Sequence, residues 1–224
     1  MAKSPQRVRR LLAVEAARIM VEEAVGDFRS AKEKAARRLG VDAQQHWPSN
    51  TEIHTELQAR LQLFHADTQP LALRRLREIS LEAMEWLQAF QPRLVGSVLE
   101  GDATEHSKIT LHLFADAPES VMFFLLDARQ EYEEGWQRLH FGDGPMRDYP
   151  LFTLDYQGVP LRLVVFSLDE DRRSPASARD GKPLRRAGVG QLRRLLAEAT
   201  PAPETASSHP WDEDVANSPG SMPR

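Results

Sequence analysis

Apolar residues recur at helical spacing as far as Phe90, and after Pro92 the pattern changes to short runs with the alternation of strands. That change of period constrains the fold more than any other feature. A chain whose first part is helical and whose middle is strand-rich is expected to be α+β, with helices packed against a small mixed sheet. The first helix is read over Ser4 to Ala24, with Val8, Leu11, Leu12, Ala16, Ile19 and Met20 on one stripe and Pro5 in its first turn. Asp27 is the expected N-cap of a second helix through Arg38, stopped by Gly40. After Trp47-Pro48-Ser49, Asn50 or Thr51 can cap a third helix bearing Ile53, Leu57, Leu61 and Phe64. A fourth is read from about Gln69 to Phe90.

Beyond Pro92, Leu94–Leu99 and Ile109–Phe114 read as strands, and Pro118 opens a helix through about Arg129. Gln137–Phe141, Leu151–Tyr156 and Pro160–Phe166 read as three more strands, the last two joined by a hairpin turn at Gln157-Gly158. The polar stretch from Asp169 to Pro183 reads as a loop, and Leu184–Ala197 as a closing helix. From residue 199 the chain has Pro, Ser, Ala and acids without periodicity, the composition of a disordered tail. The expected organisation is a helical region over 1–91, an α/β core over 92–198 and a tail over 199–224, with no internal repeat.

Charge and composition narrow the function. The net charge of −4 gives no general attraction to nucleic acid or an anionic membrane. Residues 1–40 hold ten Lys and Arg against five acids, but these are interleaved as on the polar faces of helices, without a basic stripe carrying aromatics. Nucleic acid is therefore not the expected partner. The absence of cysteine excludes disulfides, thiolate metal sites and thiol catalysis, and agrees with a cytoplasmic location. Charges interrupt Leu11–Val25, and no apolar run reaches eighteen residues, so no signal segment or membrane span is expected.

The chemistry-bearing stretch is Leu94-Val-Gly-Ser-Val-Leu-Glu-Gly-Asp-Ala-Thr-Glu-His-Ser-Lys-Ile-Thr-Leu-His-Leu-Phe114. It resembles the signature of the nucleotidyltransferase superfamily: a strand ending in Gly-Ser, a glycine-containing connection, and a second strand bearing two carboxylates one residue apart. Gly96 and Ser97 match the first element and Gly101 the connection. Ala31–Gly40 and Gly181–Ala187 are similar to a group of proteobacterial nucleotidyltransferase-like proteins. The resemblance covers residues 1–197 and implies a sheet of nucleotidyltransferase type. No Gly-x-x-Gly-Lys-Thr/Ser phosphate loop accompanies it. In such a site glycine admits a triphosphate close to the backbone, serine offers a hydroxyl, and carboxylates two apart on a strand share divalent metal ions.

The sequence departs from the signature where metal would bind. Lys108 and Thr110 fall at the two carboxylate places, and the best match for a third, on the strand around Val159–Val165, is Arg162. Three nominal negative charges thus become two positive ones, an exchange that repels Mg²⁺ and still suits phosphate. The ligand-binding set implied is Gly96, Ser97, Lys108, Thr110, His112 and Arg162. Plainer alternatives are an ordinary turn at Gly96-Ser97, solvent-facing charge at Lys108 and Arg162, and a structural histidine at His112. Asp102, Glu105, His106 and His112 are the nearby potential metal ligands, and Asp155 and Asp169 the candidates for a relocated acidic site. Three functions follow: a degenerate nucleotidyltransferase-like protein that binds a nucleotide or a protein partner without metal; an active transferase using nucleoside triphosphate and Mg²⁺ with relocated acids; or a helical interaction module.

Overall fold

The computed structural model describes residues 4–23, 25–41, 46–64, 67–142 and 144–199. Helix α1 (Pro5–Glu22) begins where Ser4 Oγ accepts the Arg7 N–H at 3.4 Å, with proline in the first turn. Helix α2 (Phe28–Leu39) begins where Asp27 accepts the Ser30 N–H at 2.8 Å and ends at Gly40, whose φ of 62° is the left-handed conformation expected of it. Helix α3 (Asn50–Phe64) starts from a cap one residue earlier than expected. Glu52 N–H donates to Ser49 Oγ at 3.2 Å and Ser49 N–H to the Glu52 carboxylate at 2.7 Å, a reciprocal capping box. This frees Asn50 and Thr51 to donate to the backbone carbonyls of Ala178 and Arg179. Helix α4 (Gln69–Trp86) ends before Phe90, and Gln88–Phe90 is a 3₁₀ turn closed by Gln91 at φ 46°.

The strands are β1 (Arg93–Val95), β2 (Ile109–Ala115), β3 (Glu133–Leu139), β4 (Arg147–Tyr156) and β5 (Val159–Ser167), ordered β1-β2-β5-β4-β3. Only β2 and β5 run parallel, so the sheet is mixed and the chain is α+β. Gln157 and Gly158 both have positive φ, as the tight hairpin between β4 and β5 requires.

Several boundaries differ from the sequence reading. The expected strand over Leu94–Leu99 stops at Val95: Gly96 turns the chain at φ 76°, and α5 (Ser97–Glu100) is a single helical turn that buries Val98 and Leu99. A short apolar run has no period to tell these outcomes apart. Strand β3 starts four residues before Gln137 and stops before Phe141, and β4 starts at Arg147 instead of Leu151. Residues 184–188 are not helical, because Ala187 exchanges backbone hydrogen bonds with Leu94 at 2.8 and 3.0 Å. Helix α7 (Val189–Glu198) begins after them. Of the expected tail only Ala199 lies within the described residues.

Apolar packing is divided. Leu12, Ala16, Ile19, Ala31, Ala35, Ile53, Leu57 and Leu61 form one core among α1, α2 and α3. Helices α4, α6 (Pro118–Asp127) and α7 pack on one sheet face around Leu76, Met84, Leu111, Leu113, Val121, Leu161, Leu163 and Leu192. Phe114, Tyr149, Val164 and Phe166 form a third cluster on the opposite face. No described helix is long and apolar enough to cross a membrane.

Candidate functional site

The sheet face turned away from α4, α6 and α7 is covered at one end and open at the other. Strand pairing sets Val95, Thr110, Arg162, Thr153 and Glu133 side by side in one row across all five strands. Directly opposed residues in a sheet point to the same face, so these side chains share the open end. Val95 is buried, so the β1 end of the row is covered; Thr110, Arg162 and Thr153 are half-buried, and Glu133 is exposed at the edge. Val95 leads directly into Gly96 and Ser97, and Lys108 precedes β2, so the turn and Lys108 border the Thr110 end of the row.

The groups around this row are under-partnered. A Cβ built on Gly96 would meet no atom within 4 Å, so the space over the turn is open. The Ser97 hydroxyl has no hydrogen bond among the described residues. Lys108 is exposed and, like Arg162, forms no ion pair among them. The Arg162 guanidinium donates to the neutral Gln137 amide oxygen on β3. Burial lowers the pKa of Arg162 from its usual value; the group stays a cation, but a poorly hydrated one.

His112 lies on the same face but is sealed from the open end. It is 2 % exposed, packs at a tilt against Phe166 with centroids 4.6 Å apart, and accepts a hydrogen bond at Nδ1 from Arg186 Nε at 3.1 Å. Burial first, and the Arg186 charge second, push its pKa down to about 3, so it is neutral at neutral pH. Arg186 also covers the rings of Phe114 and Phe166, each 5.1 Å from its guanidinium carbon, and donates to the carbonyls of Asp171 and Arg173 at 3.1 and 2.8 Å. The segment after β5 therefore roofs the far half of the face. His112 acts there as a packed acceptor and is not open to a ligand.

The acidic candidates do not converge. Asp155 accepts the Gly158 N–H at 2.8 Å within the β4–β5 turn, beside the start of β5, whereas Asp169 is exposed in the 3₁₀ turn beyond its end. Asp102 pairs with His54 at 2.9 Å, and Glu105 with His106 at 3.4 Å. Among the described residues no three His, Asp or Glu side chains come together as a metal site.

Sequence reasoning missed Gln137, Thr153 and Glu133, which enter the row only through the pairing of β3 and β4. It also missed a polar node beside the Gly96–Gly101 turn. There Arg179 bonds to Glu100 and reaches His54 at 3.4 Å, and Gln69 donates to the carbonyls of Gly101 and Ala103. No signal along the chain joins residues so far apart. No protein-family model matches this chain, and no curated protein matches it.

Proposed function

We propose that this chain is a degenerate nucleotidyltransferase-like protein that binds the phosphate groups of a nucleotide on the open end of its sheet, without metal-dependent catalysis. The observation that carries the reading is Arg162: a half-buried, poorly hydrated cation whose hydrogen-bond partner is a neutral amide, next to Thr110 and on the face that Lys108 and Ser97 border. Such a guanidinium gains from an anion with several acceptor oxygens, and guanidinium–phosphate bonds are among the strong charge-assisted kind. Where the resemblance implies metal-binding carboxylates, this row carries a hydroxyl and a positive charge, so phosphate charge would be met by protein cations. Asp155 and Asp169, at opposite ends of β5, lend the active-transferase reading no shared acidic site.

Thermal melts with ATP, CTP, GTP and UTP, each with and without Mg²⁺, test the proposal. A nucleotide present at 100 times its dissociation constant should stabilise the fold by about 2.7 kcal/mol. The expected result is a metal-independent rise in melting temperature that is lost in Arg162→Gln and weakened in Ser97→Ala. A rise that requires Mg²⁺ would support the active transferase instead, and no rise with any nucleotide would leave a protein partner as the ligand.

A further inference from the structure

The two edges of the sheet are treated differently. The outer side of β1 is covered where Leu94 and Ala187 exchange backbone hydrogen bonds. At the other edge β3 pairs with β4 through all seven of its residues, without a bulge, and its outer side pairs with no described strand. Its sequence, Glu133-Glu-Gly-Trp-Gln-Arg-Leu139, contains no proline, and the charges that guard it against indiscriminate pairing, Glu133, Glu134 and Arg138, are of both signs, so a partner strand must match them. Trp136, at the middle of the strand, is 71 % exposed. Beside it Pro118 and Met122 of α6, with Pro150 and Phe152 of β4, line a groove of about 310 Å³. A regular edge with a bare tryptophan at its centre is suited to receiving another strand.

The strand's own sequence identifies the occupant. If a second β3 is laid antiparallel with Trp136 opposite Trp136, then Gly135 faces Gln137 and Glu134 faces Arg138, each pair occurring twice by symmetry. A shift of one residue in either direction breaks the charge match: centring on Gly135 sets Glu134 against Trp136, and centring on Gln137 sets Arg138 against Trp136. A parallel arrangement in register opposes Glu134 to Glu134. We infer that the chain forms a two-fold dimer with a second copy through β3, antiparallel and centred on Trp136, joining two five-stranded sheets into one of ten. A single self-complementary patch is what a two-fold interface requires. Glu134 is exposed and has no ion pair among the described residues; Arg138 is exposed and pairs with Asp148 of β4 at 2.8 Å, so in the dimer its guanidinium is shared between Asp148 and the partner's Glu134. The inference is independent of nucleotide binding.

Because the chain contains no cysteine, an introduced one is its sole thiol. Sedimentation of the wild type over a dilution series should show the mass approaching twice that of the monomer. Under mild oxidation Trp136→Cys should cross-link to a dimer, since opposed residues in antiparallel strands lie within disulfide reach. Glu133→Cys, exposed on the same strand but opposite Leu139, should cross-link at least tenfold more slowly. Glu134→Arg should return the protein to a monomer, and the exchange Glu134→Arg with Arg138→Glu should restore the dimer. A wild type that stays monomeric throughout the series overturns the inference. So does equal cross-linking at the two cysteine positions, or a dimer unaffected by Glu134→Arg.

Discussion

Between pH 7 and pH 5 the folded chain should lose about 2 kcal/mol of stability through His112 alone. Its imidazole has an ordinary pKa of 6.5 when unfolded and one of about 3 in the native state. Above the higher value both states are neutral and no difference arises. As the pH falls below it, the unfolded chain takes up a proton that the folded chain refuses, so stability is lost at up to about 1.4 kcal/mol per pH unit. The refusal has named causes: burial among Phe114 and Phe166, and the Arg186 guanidinium bonded to Nδ1. Arg93, the cross-strand neighbour on β1, adds no compensating negative charge. Glu15 and Glu52, held below the ordinary carboxylate range by Arg18 and Arg9, stay ionised through this window. Urea unfolding at a series of pH values should give a visibly shallower slope in His112→Asn than in wild type, and identical slopes would refute the assignment.

Replacing Ile53 by alanine should cost about 2–5 kcal/mol, the usual range for emptying a fully buried aliphatic site, and the loss should fall on part of the molecule. Ile53 is completely buried among α1, α2 and α3, and its cluster of apolar residues is separate from the one under the sheet. Hydrogen exchange should show the amides of those three helices losing protection while β2 and β5 keep theirs. Leu111→Ala, at an equally buried site in β2, should do the reverse. If either substitution deprotects every amide together, the two cores unfold as one unit.

How much of this could be read along the chain depended on how local the determining contact is. The start of α1 and both ends of α2 were legible because Pro5, Asp27 and Gly40 act on their own neighbours. The Gln157-Gly158 turn was legible for the same reason, and Asp155 could have been recognised as its partner from its place three residues before Gly158. The early end of β1 was not legible, because Val98 and Leu99 suit a strand as well as a helical turn packed under α4. Nor was the extended course of 184–188, which depends on a backbone partner some ninety residues earlier. At the candidate site, alternation places Thr110 and His112 on one face but cannot say that Arg186, far along the sequence, closes over the second and leaves the first open. The occupancy of Arg162 by Gln137 likewise depended on the order of strands, which periodicity does not contain.

The contacts between the three-helix core and the rest of the chain include His54 with Asp102, Arg179 beside His54, and Asn50 and Thr51 on the carbonyls of Ala178 and Arg179. Hydrogen bonds and charges can be exchanged for water at little net expense, whereas buried apolar surface cannot. This seam is therefore where solvent can wedge the molecule apart while both interiors stay dry. It runs past Glu100 and Asp102, the residues on either side of Gly101, so a parting of the two bodies would tug directly on the turn that begins at Gly96.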